Sequence, residues 1–424
     1  MLSRAQRLQN ERKRKRKRLK RTGGALAIAA ALCALLVWGW SVLDRANPPG
    51  ESAVSPDAGA PGQPGEGSAP PTANTSPDDP SPKPDDGTNG AEPRVEMAFV
   101  GDVMFSGNVE TELKRRGFDY PYLNVKPILE KADIAVANLE TPVTTRGEKQ
   151  EKQYAYRSPP EALSAFKEAG FDLVNLANNH ILDYGAQGLI DTLEHLDNAG
   201  IRRVGAGRNV AEAFRPAVIE INGIKTAFVG LSKVVPSEDW KAGLTKEGKE
   251  RPGVADTYAL TKPIETIRQA KSEADLVVVI VHWGLERQDK PEPYQTEFAR
   301  AYIDAGADLV VGGHPHVLQG FESYQGKWIA YSLGNFIFTM NPNPVTWETI
   351  ILQASCSKSG DCRLKAIPIR TKLADPTPMD EESGAQLFRR LTDISFGAAV
   401  DGDGAIRVAP RPAETAPAAQ SRGK

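Results

Sequence analysis

The stretch ADLVVGGHPHVLQGFE, residues 307–322, joins a short apolar run to two closely spaced histidines. The apolar run, residues 309–311, is typical of a strand buried on both faces of a sheet. Two glycines follow it and allow the backbone to turn and other groups to approach closely. His314 and His316 then flank a proline. Because neutral imidazole is the commonest metal ligand, the stretch predicts a metal or phosphate site at a strand end, with a surface histidine pair as the alternative.

Polar residues also follow several other strand-like apolar runs. They are Asp102, Asn138 and Glu140, Asn179 and His180, and His282. Each residue alone has a simpler explanation, such as a helix cap, a turn or a hydrogen-bonded core histidine. Open α/β sheets bind ligands at the carboxyl ends of their strands, so the recurrence of polar residues at five strand ends predicts one shared site. Carboxylate, amide and imidazole ligands suit Mn²⁺, Fe²⁺ or Zn²⁺.

Helical and strand-like patterns alternate through most of residues 94–396. Continuous apolar runs such as DLVVVIV, residues 275–281, predict buried strands, and amphipathic stretches such as residues 186–199 predict helices. Asn222-Gly223 lies between two strand-like runs and predicts a β-hairpin. We therefore expect an α/β fold with mixed sheet pairing.

The N-terminal segment has a strong charge asymmetry. Residues 12–21 are almost entirely Lys and Arg, whereas residues 22–43 contain no charged residue and are long enough to span a bilayer. Trp38 and Trp40 lie near the end of this span, as in an aromatic belt. The pattern predicts a cytoplasmic basic segment at 1–21, an uncleaved transmembrane signal anchor at 22–43 and an extracellular remainder in a protein of the cell membrane.

Three other interpretations of this segment stay open. A cleaved signal peptide usually has a shorter apolar run. A nucleic-acid-binding arm explains the basic residues but not the apolar span, and a buried core helix explains the span but not its unbroken length. The net charge of the whole chain is −2, so overall charge gives no reason to expect a nucleic-acid partner.

Residues 44–93 are rich in Pro, Gly, Ser, Asp and Ala and have almost no large apolar side chain. Such a segment buries too little surface to fold and predicts a disordered linker. We expect a folded ectodomain over residues 94–396 and a disordered tail over residues 397–424.

Two of the three cysteines lie in the predicted ectodomain. Cys356 and Cys362 flank the turn sequence SKSGD between two strand-like runs. Outside the membrane this pair would form a disulfide that clamps a hairpin, and two free thiols are the alternative.

The ordered strand-end motifs resemble those of the calcineurin-like metallophosphoesterases, whose signature runs D-x-H, G-D-x-x, G-N-H-[DE], H and G-H-x-H. The amino-acid sequences around these motifs are more similar to one branch of that superfamily, the poly-γ-glutamate capsule synthesis protein CapA family. The blocks are GDVMFSG, ANLETPVT, LANNHILDYG, VHWGLE, GGHPHVLQGFE and YSLGNFIF. The resemblance covers residues 95–369, and a membrane anchor also agrees with this family.

The resemblance implies a metallophosphoesterase-like four-layer sandwich, in which two mixed β-sheets are stacked and flanked by helices. It also implies one or two divalent metal ions held by the matching residues. These ligands would be Asp102, Glu140 or Asn138, Asn179, His282, His314 and His316. His180 would face the substrate and act in catalysis together with Asp102.

The chain departs from the phosphoesterase pattern at two positions. Met104 stands where the first ligand histidine is expected, and a thioether is a poor ligand for a hard ion. Glu140 or Asn138 must replace the bridging aspartate. We therefore expect one metal position to be weakened or lost, which puts phosphoester cleavage in doubt.

Two further positions are candidates for substrate binding. Asn335 follows a strand and a glycine, where a polar side chain can face a crevice. Arg157 or Arg287 would bind a carboxylate of a polyanionic ligand in a bidentate manner. The sequence does not choose between the two arginines.

The combined expectation is a membrane-anchored, cell-surface protein of poly-γ-glutamate capsule biosynthesis or export with a metal-dependent, hydrolase-like site. Its partners would be the membrane, an anionic polymer or phosphoester substrate, and a membrane synthase complex. One alternative is a non-catalytic scaffold that holds the polymer beside a synthase. A general cell-surface metallophosphoesterase is the other.

Overall fold

This computed structural model describes residues 92–409. The strands are β1 (Arg94–Val103), β2 (Ile134–Leu139), β3 (Phe171–Asn175), β4 (Arg202–Val204), β5 (Ala206–Gly207), β6 (Ala217–Ile221), β7 (Ile224–Ser232), β8 (Gly243–Leu244), β9 (Glu250–Arg251), β10 (Gly253–Val254), β11 (Leu276–His282), β12 (Leu309–Gly313), β13 (Leu318–Tyr324), β14 (Lys327–Leu333), β15 (Asn335–Ile337), β16 (Glu348–Ser357), β17 (Cys362–Thr371), β18 (Pro376–Pro378), β19 (Ala398–Val400) and β20 (Ala405–Val408). The α-helices are α1 (Asn108–Arg116), α2 (Lys126–Leu129), α3 (Ala162–Glu168), α4 (Gly185–Asn198), α5 (Val210–Ala213), α6 (Thr261–Glu273), α7 (Pro293–Asp304) and α8 (Glu381–Asp393).

Two mixed sheets form the centre of this part of the chain. The first has the order β19-β20-β17-β16-β1-β2-β3-β4, with β15 beside β1 and β18 beside β17, and the second has the order β13-β14-β12-β11-β7-β6. Strands β1 to β4 are parallel to one another, as are β7, β11, β12 and β14. Strands β16, β17, β6 and β13 join antiparallel. The expected mixed α/β fold is confirmed.

Alternation of side chains along the strands gives both sheets two apolar faces. Leu276, Val278 and Ile280 of β11 pack in the core between the sheets, together with apolar residues of β1 and β2. Val277 and Val279 point the other way and pack with apolar residues of α6 and α7. The outer face of the first sheet packs in the same way against α1, α3 and α4. The result is four layers, with helices outside and two sheets inside.

The predicted disordered tail is wrong for residues 397–409. Strands β19 and β20 pair with each other, and β20 also pairs with β17, where Leu364 stands opposite Ile406. Ile406 is buried in the core between the sheets. The folded unit therefore extends past residue 396, and residues 410–424 lie outside the described part.

Cys356 and Cys362 stand opposite each other in the β16–β17 hairpin. They are joined by a disulfide, with 4.1 Å between their Cα atoms. Both cysteines are buried, and the indole N–H of Trp328 donates to the Cys362 carbonyl at 3.1 Å. The covalent link therefore closes the end of the hairpin that is paired with the start of β1.

The predicted basic segment, signal anchor and all but the last two residues of the predicted linker lie outside the described residues. Across residues 92–409 no helix is both long enough and apolar enough to cross a membrane.

Candidate metal centre

The ends of the parallel strands bring polar residues of both sheets together. Asp102 of β1 is in register with Asn138 of β2 and with Asn335 of β15. In the second sheet, His282 ends β11 and is in register with Gly313, the last residue of β12. The carboxylate of Asp102 accepts a hydrogen bond from the backbone N–H of His314 at 3.3 Å, which joins the two sheets at this edge.

Four of the five histidines of the chain lie at or beside this edge. The ring centroids of His282 and His314 are 4.7 Å apart, and those of His314 and His316 are 5.6 Å apart. His314 and His316 have φ angles of 97° and 57°, which non-glycine residues seldom adopt. Such backbone strain is concentrated at functional sites, and here it belongs to the loop that carries two imidazoles into the cluster.

Glu140 lies at the centre of the cluster, one residue past the end of β2. Its carboxylate forms one group of possible metal ligands with His282 and His314, and a second group with Asp102 and His316. Within each group the ligand atoms all lie within 4.8 Å of one another. The Oε1 atom of Glu140 is 3.7 Å from His282 Nε2 and 3.8 Å from His316 Nε2. Glu140 is therefore the residue that the two groups share.

Buried donor atoms without a partner show that these residues fit a metal ion. Both carboxylate oxygens of Glu140 and the Nδ1 atom of His314 are buried and have no hydrogen-bond partner within residues 92–409. Each such atom costs about 1–3 kcal/mol, and more when the group is charged. Burial and the nearby Asp102 carboxylate raise the pKa of Glu140 well above its ordinary value. A divalent cation with oxygen and nitrogen ligands would remove both costs.

The histidines differ in charge in the metal-free protein. Burial, reinforced by neighbouring histidines, lowers the pKa of His282 and of His314 well below the ordinary value, so both rings are neutral and suited to bind a metal. Burial also acts to lower the pKa of His316, but the Glu140 and Asp102 carboxylates outweigh it and raise that pKa to about 9. The Nδ1 atom of His316 is 2.9 Å from the side-chain oxygen of Asn335 and 3.2 Å from Asp102 Oδ2.

Asn138 supports its neighbours and does not offer a free ligand oxygen. Its amide nitrogen donates to Asp102 Oδ1 at 2.8 Å and lies 3.2 Å from His282 Nδ1. Its amide oxygen accepts a hydrogen bond from Asn175 at 3.1 Å. Of the two alternatives for the bridging position, Glu140 is therefore the one whose oxygens are available.

His180 is oriented by two residues that the sequence reasoning missed. Its Nδ1 atom is 2.7 Å from Asp183 Oδ2, and the Lys152 ammonium donates to Asp183 Oδ1 and to the carbonyl of Asn179, both at 2.7 Å. Burial lowers the pKa of His180, although Asp183 acts in the opposite direction. The side-chain oxygen of Asn179 is 2.9 Å from His282 Nε2, which connects His180 and its partners to the candidate metal ligands.

A cleft of about 300 Å³ opens beside the cluster. Its lining includes Tyr154, Tyr156, His180, Glu286, Arg287, His316, Asn335 and Phe338. Asn335 thus faces the cleft, as the sequence predicts, and its side-chain oxygen also contacts His316.

Of the two arginines that the sequence left open, Arg287 lines this cleft, whereas Arg157 lines another pocket. The Arg157 guanidinium lies 4.7 Å from the ring centroid of Tyr184 and donates to the Thr145 carbonyl at 3.3 Å, in a separate pocket. Tyr156, one residue earlier, lines the cleft. In an extended segment successive side chains point to opposite sides, which explains why Arg157 faces away.

Met104 is fully buried. Its backbone N–H donates to the Ile337 carbonyl at 2.7 Å, in the pairing of β1 with β15.

The fold and the cluster define a class of protein, an α/β sandwich with two stacked sheets and a nitrogen- and oxygen-lined centre at its strand ends. The family model for the bacterial capsule synthesis protein PGA_cap matches residues 96–340, and the chain belongs to this family. The predicted family is therefore confirmed.

Relatives in this family cover most of the chain. The capsule biosynthesis protein CapA of Bacillus anthracis is 36% identical over 314 residues, which are 72% of this chain and 75% of that protein. The PGA biosynthesis protein CapA of Bacillus subtilis (strain 168) is 37% identical over 308 residues, with 71% and 78% covered. A probable polyglutamine synthesis accessory protein of Mycobacterium tuberculosis (strain ATCC 25618 / H37Rv) is 34% identical over 231 residues, with 51% and 59% covered.

Proposed function

We propose that this protein acts in the production of a poly-γ-glutamate capsule and that its strand-end cluster is a divalent-metal site of the hydrolase type. The observation that carries the metal site is Glu140, whose two buried oxygens have no partner among the described residues although three histidines surround them. Membership of the capsule synthesis family and the names of the two Bacillus relatives support the capsule role.

The ligands for the ion would come from both sheets. They are Asp102, Glu140, His282, His314 and His316, with the Asn179 oxygen beside them. When bound, a Mn²⁺, Fe²⁺ or Zn²⁺ ion would polarise a carbonyl or phosphoryl oxygen and activate water for attack. Asn138 and Asn335 would hold Asp102, His282 and His316 in place through their side-chain contacts.

His180 would move the proton in this reaction. Its Nδ1 atom is held by Asp183, so Nε2 is the nitrogen left for the cleft. A lowered pKa keeps the ring neutral near pH 7, and a neutral ring with Nδ1–H bound to a carboxylate accepts a proton at Nε2. It would then return this proton to the leaving group, an amine from a γ-glutamyl amide or an oxygen from a phosphoester. Lys152 would fix the position of Asp183.

The proposal includes a membrane anchor at residues 22–43 and an extracellular position for the folded unit. The basic residues at 12–21 followed by an uncharged apolar span support this orientation. Protease added to intact cells should remove the folded unit while a cytoplasmic marker stays intact. Protection of the folded unit until the cells are lysed would contradict the orientation.

Metal content tests the central claim. The full-length chain, purified without chelator, should carry Mn, Fe or Zn in stoichiometric amount, and a His314→Ala, His316→Ala double variant should lose it. His195→Ala is the matched control, because this fifth histidine lies on α4 and belongs to neither group of donor atoms. About one ion per chain would agree with the loss of one position at Met104. No metal in any of these proteins, even after reloading, would refute the site.

A non-catalytic scaffold is the second candidate, and Met104 is the observation that favours it. A thioether is a poor ligand for a hard ion, so one position lacks its expected ligand, and in a scaffold the remaining ion would serve only to bind the polymer. Turnover assays with γ-glutamyl and phosphoester substrates separate the two functions. An enzyme loses turnover in Asp102→Asn and in His180→Ala, whereas a scaffold shows polymer binding and no turnover in the unaltered protein.

A further inference from the structure

The segment after β11 brings two adjacent charged residues to the cleft. Glu286 and Arg287 both line it, together with His316 and Asn335. His316 belongs to the metal cluster, so a ligand that contacts Glu286 and Arg287 also lies next to the proposed reacting centre.

The backbone of Arg287 is fixed against the loop that carries the candidate ligands. Its N–H donates to the carbonyl of Pro315 at 2.7 Å, and Pro315 stands between His314 and His316. Arg287 has a φ of 62°, in the left-handed region that non-glycine residues seldom adopt. The carbonyl of the next residue, Gln288, accepts a hydrogen bond from the side chain of the buried Gln319 at 3.0 Å. The Cα position of Arg287 is therefore set relative to the cluster.

Both charged groups are free to bind a ligand. Within residues 92–409 neither the Glu286 carboxylate nor the Arg287 guanidinium makes a side-chain hydrogen bond or ion pair, and both residues are exposed. Arg157, in contrast, has a carbonyl and an aromatic ring as partners. An acid beside a base gives little net attraction for a polyanion. The pair suits a ligand that presents an acceptor and a donor close together.

A γ-linked glutamate chain has this arrangement at every α-carbon. That carbon carries a free carboxylate and a nitrogen with hydrogen, which is an amide N–H inside the chain and an ammonium at its amino end. In an α-linked chain the carboxyl group on the α-carbon is used in the backbone, and the free carboxylate lies at the end of the side chain. The two polymers have the same charge and differ in this local geometry.

We infer that Glu286 and Arg287 recognise one glutamyl unit of a γ-linked chain. Arg287 binds the α-carboxylate in a bidentate manner, and Glu286 accepts a hydrogen bond from the nitrogen on the same carbon. The pair thereby distinguishes γ-linked from α-linked glutamate. This inference rests on the proposed function, because it assigns the specificity of the same site.

Calorimetry measures the binding of two glutamate decamers of the same chirality, one γ-linked and one α-linked, to the full-length protein. We expect the unaltered protein to prefer the γ-linked decamer by about tenfold or more, as for one charged bidentate contact. Arg287→Ala should remove this preference. Arg287→Lys keeps the positive charge but should lose most of the preference for the γ-linked decamer. Arg157→Ala makes the same exchange in the pocket away from the cleft and should leave the affinities for both decamers unchanged. Melting curves identify any variant that fails to fold.

The remaining arms separate the possible results. An amino-terminally acetylated γ-linked decamer binds normally when interior units are recognised and weakly when the chain end is recognised. Equal weakening by Arg287→Ala and Arg157→Ala, or a preference that survives Arg287→Ala, would overturn the inference while polymer binding, and with it the proposed function, stands. No binding of either decamer to the unaltered protein would overturn both.

Discussion

Replacing Glu140 by Gln should make the metal-free protein more stable and the metal-loaded protein less stable than the unaltered protein in the same state. Glu140 is fully buried, and neither of its carboxylate oxygens has a hydrogen-bond partner among residues 92–409. At about 1–3 kcal/mol for each oxygen, the metal-free protein bears a cost of roughly 2–6 kcal/mol when the group is ionised. Gln has nearly the same shape without the charge, and its amide can donate to the adjacent Asp102 carboxylate. We expect the metal-free variant to be about 2 kcal/mol more stable at pH 8.

Metal addition should change the sign of this difference. An ion present at a hundredfold excess over its dissociation constant stabilises the folded state by about 2.7 kcal/mol. The unaltered protein should gain this amount, and the variant, which lacks a central anionic ligand, should gain little. The loaded unaltered protein should then be the more stable of the two.

The pH dependence follows from the direction of the Glu140 pKa. Burial and the Asp102 carboxylate raise this pKa above its ordinary value of 4.5 in the folded protein. A raised carboxyl pKa contributes stability that is fully present below about pH 4.5 and is lost as the pH rises toward the folded pKa. The advantage of the metal-free variant should therefore be small near pH 4.5 and should grow toward pH 8.

Denaturant unfolding of both proteins, with chelator and with added metal, measures these differences. Glu297→Gln is the control, because Glu297 is exposed on α7, outside the cluster. A Glu140→Gln variant that is less stable than the unaltered protein by the same amount with and without metal would refute the reasoning, since Glu140 would then act as an ordinary packed residue.

Two further predictions concern the backbone beside the cluster and the disulfide. An added Cβ at Gly313 would lie 2.9 Å from Asp102 Oδ1, so Gly313→Ala should displace this carboxylate and weaken metal binding in a titration by about tenfold or more. Gly402→Ala, whose Cβ would meet no atom within 4 Å, should leave the affinity unchanged, and equal affinities for both variants would contradict the argument. Exchanging Cys356 and Cys362 for Ser should lower the free energy of unfolding by about 2 kcal/mol, the loop-entropy value for so short a loop. Metal content should not change, and an unaltered denaturation midpoint would show that the disulfide adds no stability.

Several candidate ligands could be predicted from the sequence because the fold alone brings them together. Asp102, His282 and His314 lie at or just after the carboxyl ends of apolar strands, and these ends of parallel strands meet at one edge of a sheet whatever the loops do. The positions of strands and helices were also predictable, because the spacing of apolar residues along the sequence indicates them directly. The convergence of these residues therefore needed no knowledge of side-chain conformation.

Side-chain direction and loop course were not predictable in this way. Asn138 turns its oxygen to Asn175, and Arg157 turns away from the cleft, although both lie beside residues that face the site. Lys152 reaches Asp183 from a loop with no periodic pattern, so its sequence gave no signal. The position of Asp183 was indicated by the sequence, since Asp183 lies three residues after His180 in the block LANNHILDYG, where a carboxylate can contact the imidazole ring.

The strand pair at the C-terminal end shows a different limit. β19 and β20 have three and four residues, which is too short for a pattern to separate them from a loop. They form strands because β17 offers a partner edge and the core accepts Ile406. Tertiary contact, and not local preference, determines their conformation.

The course of β1 determines how the protein presents its cleft. The strand begins at Arg94 and reaches the candidate metal ligand Asp102 eight residues later. At about 3.3 Å for each residue, these two points are roughly 26 Å apart. A tag or a solid support attached at the start of β1 would thus lie about that far from Asp102. Immobilisation through this end should leave the cleft open to a large polymer arriving from solution.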